Sequence, residues 1–555
     1  MLRGLLHPES GSTAEDAEDA EETRGITFSK QMSVTFPEQF NMATYFLDAR
    51  IEEGLGEKIA VHCGSKQYTY REVQQMANEV GNALVRLGVE MEDRVLMVLP
   101  DSIEFVATWF GIAKIGAVIT MVNTILPAAD YEYYLDYTRA KVAVVHADVM
   151  ERFTPAASTS PYLKHTIVVG AKVSGSLEGL EGRSTVKSYA RLTMEESDTL
   201  ETAPTSRDDI AIWLFTSGST GHPKAAVHLH HHLPYNTECY AKQVLGITKD
   251  DITLSVPKLF FGYATGTNLL FPFAVGGATA LFPERSTAET MFKMIEKHRP
   301  TMLTTVPTMI NSMLQVDGAS SLYDLSSLRF CVSAGEALPP ELYDRWMETF
   351  GVEILDGIGS AEMFHIYITN YPGSVVPGSL GKLVPGYEAE IVDANGSEVA
   401  TGEMGTLRIK GDSAALCYWK AHETSKATFA GDWCTTGDQF RVDERGCFWY
   451  CGRTDEMLKV GGIFVSPTEI ENCLLEHEAV LECAVIGAGD DDKLIKPKAF
   501  VVLAEGFIES VELESELKDY VKQILAGYKY PRWVEFRTDL PKNDRGKIDR
   551  RALKQ

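Results

Sequence analysis

Basic residues are scarce: 52 Lys and Arg stand against 78 Asp and Glu, a formal charge of −26. A nucleic-acid surface needs a basic stripe, so that class of partner is excluded. The acid excess favours solubility and leaves nucleotide binding open, because a few local cations and N–H groups suffice to hold phosphates. The nine cysteines (63, 239, 331, 417, 434, 447, 451, 473 and 483) contain no Cys-x-x-Cys pair. At this length a disulfide scaffold is not expected, and free buried thiols in a reducing, cytoplasmic compartment are. No signal peptide is expected either: the start, Met1-Leu-Arg-Gly-Leu-Leu-His-Pro8, has too short an apolar segment and runs into acid. The longest stretch without charge, Leu259 to Pro283, is broken by glycines, Asn268 and Pro272. That pattern predicts a buried core or an apolar pocket wall, not a membrane span. No repeat of fixed period occurs.

What is present points to several domains, since 555 residues exceed one core. Hydrophobic content of 45% and charged content of 23% are those of a globular chain. Residues 1–30 form an acidic tail expected to be disordered. Thr69-Tyr-Arg-Glu72 predicts a capping box opening a helix with Val73, Met76, Ala77, Val80, Leu84 and Leu87 on one side, stopped at Gly88. Strand Arg94–Leu99, helix Glu104–Ile115 and strand Ala117–Val122 continue the alternation, which implies α/β layers with buried strands. Beyond about residue 380, short strands and turns predict a β-rich subdomain. Then comes a compact α+β unit, with an N-cap at Ser466-Pro-Thr-Glu469, strands Cys483–Ile486 and Ala499–Leu503, and a helix bearing Leu513, Leu517, Val521 and Ile524. The boundary is expected at Gly452–Asp455. The fold class is therefore α/β: a large N-terminal domain (31–453) with two doubly wound layers and a β-rich subdomain, followed by a small C-terminal α+β domain (454–555).

The most telling dozen residues follow the apolar run Ile210–Phe215. Thr216, Ser217, Gly218, Ser219, Thr220 and Gly221 lead through His222-Pro223 to Lys224. Small residues let successive N–H groups wrap a phosphate chain, hydroxyls add donors and lysine adds charge. A Walker loop would need Gly-Lys followed by Ser or Thr, and Pro223-Lys224-Ala225 breaks that pattern. His228, His230, His231 and His232 are the densest histidine cluster; consecutive histidines cannot all reach one ion, so helix-face or pocket residues are expected ahead of a metal site.

The loop resembles the phosphate loop of the adenylate-forming superfamily: acyl-CoA synthetases, peptide-synthetase adenylation domains and beetle luciferases. Five further stretches match in order, so the resemblance spans roughly residues 36–550. Asp356, Gly357, Ile358, Gly359, Ser360, Ala361 and Glu362 correspond to the loop whose glutamate binds Mg²⁺ beside the ATP phosphates. Ile358 replaces the aromatic expected against adenine, and Ala361 replaces a hydroxyl, with Ser360 as its substitute donor. By the same resemblance Gly335, Glu336 and Ala337 lie along adenine and the acyl pocket, Asp438 accepts from the ribose hydroxyls and Arg453 contacts ribose. Asp455 is the hinge of a mobile small domain. Lys459, Gly461 and Gly462 line a coenzyme A tunnel, and Lys547 swings in to stabilise negative charge at the α-phosphorus.

The implied reaction is ATP-dependent activation of a carboxylate as acyl-AMP, with loss of pyrophosphate, and then thioester formation. Only eight residues follow Lys547, and Leu259–Pro283 has no acid to pair an α-ammonium, so free coenzyme A is preferred over a peptide-synthetase carrier; a separate carrier protein stays open. Lys258-Leu-Phe-Phe-Gly-Tyr263 and Gly359-Ser-Ala-Glu-Met-Phe-His-Ile366 resemble benzoate-CoA ligases. A flat aromatic acid would lie among Phe260, Tyr263, Ala264, Gly335, Ile358 and His365, with benzoate or 2-aminobenzoate as candidates. Medium-chain acids, a luciferase and a nucleotide sensor with a dead site remain alternatives, and a homodimer is left open.

Overall fold

A computed structural model describes residues 28–29, 32–170, 184–216, 222–454, 456–460, 463–490, 494–542, 548–550 and 552–554, and sheet counts refer to these. The acidic tail expected over 1–30 lies outside them apart from Phe28 and Ser29.

Two large sheets carry the first part of the chain. The eight-stranded one runs Cys417–Tyr418, Lys224–Leu229, Ile210–Thr216, Val118–Met121, Arg94–Val98, Val142–His146, His165–Val169 and Thr185–Ser188. Its strands from Ile210–Thr216 onward are parallel, with Lys224–Leu229 and Cys417–Tyr418 turned antiparallel at one edge. The nine-stranded sheet runs Lys382–Leu383, Ile366–Thr369, Glu353–Gly359, Phe330–Ser333, Met302–Thr305, Ile252–Ser255, Ala278–Leu281, Ile59–Cys63 and Lys66–Thr69, again parallel in the middle. Their central strands are apolar runs buried along their length, as parallel strands covered on both faces must be.

Helix Tyr70–Arg86 starts with the expected capping box, Thr69 and Glu72 each satisfying the other's backbone N–H. Val73, Ala77, Val80 and Leu84 are buried, while Met76 and Leu87 are only half-buried at the margin of that face. This helix crosses Ile103–Lys114 closely, because Gly111 lets the Ala77 carbonyl come within 2.8 Å of where a Cβ would stand. Leu259–Pro283 is the buried wall expected of it: three short helical pieces, Gly262–Thr265, Gly266–Leu270 and Phe271–Phe273, precede strand Ala278–Leu281. Among the described residues no helix is long and apolar enough to cross a membrane. All nine cysteines are free.

The β-rich subdomain is a six-stranded antiparallel sheet containing Glu388–Val392, Gly405–Lys410, Trp433–Val442 and Phe448–Arg453. Beyond it, the hairpin Leu458–Val460 with Ile463–Val465 leads to helix Pro467–Leu475 and the three-stranded sheet Val480–Gly489, Ile495–Leu503 and Trp533–Arg537. Both first strands are longer than their apolar cores predict, because the ladder continues through Gly487↔Pro497 and Gly489↔Ile495. Helix Val511–Ile524 buries Leu513, Leu517 and Val521, but Ile524, expected in register with them, is the last helical residue and is 49% exposed. Arg550 grips both oxygens of the buried Glu471 at 2.9 and 2.8 Å and comes within 3.6 Å of Glu456. Lys542 and Ile548 form an antiparallel bridge, and Asp549 N–H donates to Pro541 O at 2.7 Å.

Candidate active site

Strands Ile210–Thr216 and Lys224–Leu229 pair antiparallel, with Thr216 opposite Lys224. The two described ends of the expected phosphate loop are thus fixed across one ladder; Ser217, Gly218, Ser219, Thr220 and Gly221 lie outside the described residues. On the far side of the neck, His222 stacks on Tyr133 at 4.8 Å, and the Tyr133 hydroxyl donates to Pro223 O at 2.7 Å. Lys224 is half-buried. Burial pulls its pKa down, the nearby Glu362 carboxylate pushes it back up and Arg453 lowers it. Lys224, Glu362 and Arg453 therefore share one electrostatic neighbourhood, although they come from different sheets.

Glu362 sits in the 3₁₀ turn Ala361–Met363 that follows strand Glu353–Gly359. Its carboxylate accepts from the Tyr418 hydroxyl at 2.5 Å, and the Lys224 ammonium lies 4.0 Å above the Tyr418 ring. Sequence reading missed Tyr418, because nothing in Cys417-Tyr-Trp-Lys420 announces it; only the pairing of Ala226 with Tyr418 brings it there. Among the described residues no group of three or more His, Cys, Asp or Glu is arranged to hold an ion by itself. A single half-buried carboxylate beside a lysine suits a small hard cation that completes its shell with phosphate oxygens and water, so Glu362 fits the expected Mg²⁺.

The histidines near this turn are scaffold. His228 is fully buried and its Nε2 lies 2.6 Å from Ala361 O. A carbonyl only accepts, so Nε2 carries the hydrogen; Nδ1 lies 3.2 Å from His232 Nδ1, which accepts the Leu229 N–H at 3.3 Å. Burial depresses His228 to about 4 and His230 to about 3, and carries His232 well below the usual imidazole range. Neutral His228 thus fixes the main chain at Ala361. Ser360, expected to replace the missing hydroxyl there, has its oxygen buried beside Tyr367.

Asp438 is 8% exposed and bound by Arg453 Nη1 at 3.1 Å, its register partner across the β-ladder. Burial raises its pKa to about 6 and Arg453 opposes the rise, so the group is ionised at neutral pH. Asp356 is pushed further, to about 8, by complete burial, against stabilising contacts from Ser333 and the N–H groups of Leu338 and Gly357. The rise favours the neutral acid. Gly357 and Gly359 allow close approach: a Cβ on Gly359 would stand 2.6 Å from the His365 carbonyl. Glu336 caps the helix Pro307–Leu314 with its side chain, receiving the Thr308 N–H at 3.2 Å and the hydroxyl at 2.8 Å. Gly335 has φ of +93°, a turn that favours glycine, and Ala337 follows Glu336 in the same turn.

The expected acyl residues gather at the C-terminal ends of the nine-stranded sheet. His365 is buried, with Nε2 3.0 Å from Tyr263 O and its ring against Phe271, Tyr263 and Tyr240. Burial lowers its pKa to about 4. Nε2 donates to the Tyr263 carbonyl, which leaves Nδ1 as a bare acceptor with no partner among the described residues. The Tyr263 hydroxyl reaches Val332 O at 3.0 Å. Ile358 and Gly359 pair with Ile368 and Ile366 on the next strand. Ala264 is wholly buried, and Phe260 lies half-buried against Phe261 at 4.6 Å. Asp455, Gly461, Gly462 and Lys547 lie outside the described residues, as does the side chain of Lys459, whose backbone pairs with Phe464.

A model of the AMP-binding enzyme family matches residues 48–419, and one of the AMP-binding enzyme C-terminal domain matches 469–547. A benzoate–CoA ligase of Thauera aromatica is 43% identical, covering 94% of this chain and 97% of its own length. A 4-hydroxybenzoate–CoA/benzoate–CoA ligase of Rhodopseudomonas palustris is 39% identical over 93% and 94%. Among solved structures, an anthranilate CoA ligase in complex with anthranoyl-AMP is 40% identical with a TM-score of 0.87, covering 94% of this chain and 97% of that one. A benzoate CoA ligase from Burkholderia xenovorans is 40% identical, with a TM-score of 0.84 over 93% and 100%.

Proposed function

The chain belongs to the AMP-binding enzyme family, and from that premise we propose that it is an ATP-dependent aryl-CoA ligase acting on benzoate or a substituted benzoate. An oxygen of the aromatic carboxylate attacks the α-phosphorus of ATP, the bond to the β-phosphate breaks and pyrophosphate leaves. The sulfur of coenzyme A then attacks the acyl carbonyl, the thiol gives up its proton, and AMP departs. Attaching AMP turns a poor electrophile into one with a good leaving group.

Each residue has a part in this reading. Thr216, Lys224 and the loop between them grip the β- and γ-phosphates. Glu362 holds Mg²⁺, which supplies charge neutralisation on the phosphates. Asp438, kept in place by Arg453, accepts from the ribose hydroxyls. Asp356 and the 357–360 strand end lie along the adenine. Lys547 stabilises the negative charge that develops at the α-phosphorus. The small domain, 454–555, turns about Asp455 and exchanges Lys547 for the tunnel at Lys459, Gly461 and Gly462, so that one cleft serves two reactions. The observation that carries the reading is the convergence of Lys224, Glu362 and Arg453, with Asp438 held by Arg453.

For the acid, a specific feature favours an ortho-amino group. His365 Nδ1 is a buried acceptor without a donor among the described residues, and leaving it so is costly; the amino hydrogen of 2-aminobenzoate is a group that satisfies it. Benzoate fills the same flat space without doing so. ATP–pyrophosphate exchange over benzoate, 2-aminobenzoate, the hydroxybenzoates and octanoate tests this. Exchange with the aryl acids and thioester formation with free coenzyme A are expected, with 2-aminobenzoate preferred. Exchange with octanoate alone overturns the aryl assignment, and no exchange with any acid leaves a nucleotide sensor.

A further inference from the structure

Tyr418 touches both groups to which the phosphates and the metal were assigned, and it is built to stay there. It is opposite Ala226 in the antiparallel ladder, two residues from Lys224, so strand geometry puts its ring beneath the lysine. Its N–H donates to Ser425 Oγ at 2.9 Å and its ring packs on Phe429 at 5.3 Å. Glu362 offers only acceptor oxygens, so the phenol hydroxyl is the donor in their 2.5 Å contact. The same segment holds the rest of the 361–363 turn: Ala415 N–H donates to Glu362 O at 2.7 Å and Ser413 Oγ to Met363 O at 2.9 Å. Three anchors thus fix the main chain and one carboxylate oxygen of the turn, while the ring face attracts the Lys224 ammonium through its quadrupole.

We propose that Tyr418 is the positioning residue of the metal and phosphate site, orienting the Glu362 carboxylate through its hydroxyl and seating Lys224 on its ring. A donor to one oxygen of a metal-binding carboxylate sets which oxygen faces the ion, and such outer partners matter for metal affinity. The inference rests on the reading of Glu362 as the metal carboxylate.

Calorimetric titration of ATP into the full chain, once with Mg²⁺ and once with EDTA, tests it without relying on turnover. The ratio of the two dissociation constants is the gain due to metal. Tyr418→Phe keeps the ring and loses the donor, so this gain is expected to fall about tenfold while binding in EDTA is unchanged. Tyr418→Leu also removes the ring, and ATP binding in EDTA is expected to weaken by about threefold through Lys224. Glu362→Gln, the control, is expected to abolish the gain. A Tyr418→Phe chain that keeps the full gain while Glu362→Gln loses it overturns the role of Tyr418. A merely structural role would weaken ATP binding equally in both buffers and lower the melting temperature, and that result overturns the proposal as well. A Glu362→Gln chain with the full gain overturns the underlying metal assignment.

Discussion

In the site proposed above, the phosphate side consists of Lys224, Glu362, Tyr418, Asp438 and Arg453, charged or hydroxyl side chains that meet from different strands. On the acyl side, Tyr263 and His365 direct polar atoms at main-chain carbonyls and present rings. In that proposal the first wall would recognise charge, which every nucleoside triphosphate carries, so a few side-chain identities would specify it. The second recognises shape, which is set by how Phe271, Tyr240 and Gly266 pack around His365.

The largest expected effect tests whether the phosphate wall serves only the first half-reaction. Lys547→Ala should slow ATP–pyrophosphate exchange about 10²- to 10³-fold, the loss typical of a missing transition-state charge partner. Thioester formation from supplied benzoyl-AMP should stay near normal; equal loss in both assays would remove the role given to Lys547. Next, Asp438→Asn should raise the KM for ATP by about tenfold, since one hydrogen bond to a charged group is worth roughly 1.5–3 kcal/mol. The KM for the aromatic acid should not move, and a parallel rise would blur the two walls.

The walls should also titrate in opposite senses. His365 is depressed to about 4 from an ordinary 6.5, so the stability it confers is lost as pH falls from about 6.5 towards 4, on the order of 2 kcal/mol at pH 5. Asp356 is raised to about 8, so its contribution is lost as pH rises from about 4 to 8. Urea midpoints at pH 5 and 7 check both: His365→Phe should reduce the loss on acidification and Asp356→Asn the loss on alkalinisation. The smallest expected effect is the most selective. His365→Leu should favour benzoate over 2-aminobenzoate by about three- to tenfold in kcat/KM, consistent with an amino group that has lost its acceptor. An unchanged ratio would show that the bare Nδ1 does not meet the substrate.

Much of the frame could be read from residue order. The Thr69–Glu72 capping box and the Ser466 N-cap behave as local chemistry dictates, because both are complete within four residues. The apolar strand that ends at Thr216 was legible for the same reason. Tyr418 was not, since its role exists only through pairing with a strand nearly two hundred residues earlier. Glu336 illustrates another limit: its carboxylate is engaged by Thr308, a partner that no local pattern names. The histidine cluster looked like one object in sequence, yet its members diverge, His228 to Ala361, His230 to the Met42 N–H and His231 to Arg207.

Lys224 belongs to the eight-stranded sheet, whereas Glu362 follows a strand of the nine-stranded one. A ligand held by both would act as a removable cross-link between two sheets, added to the fixed hydrogen bonds from His228 to Ala361 and from Tyr418 to Glu362. At a hundred times its dissociation constant, such a ligand adds about 2.7 kcal/mol to whatever opens when it leaves. Backbone amides along the strands Lys224–Leu229 and Cys417–Tyr418 should then exchange more slowly with MgATP bound, whereas those at the other end of the sheet, Thr185–Ser188, should not respond. The nucleotide would thereby decide how far the molecule unfolds as one cooperative unit.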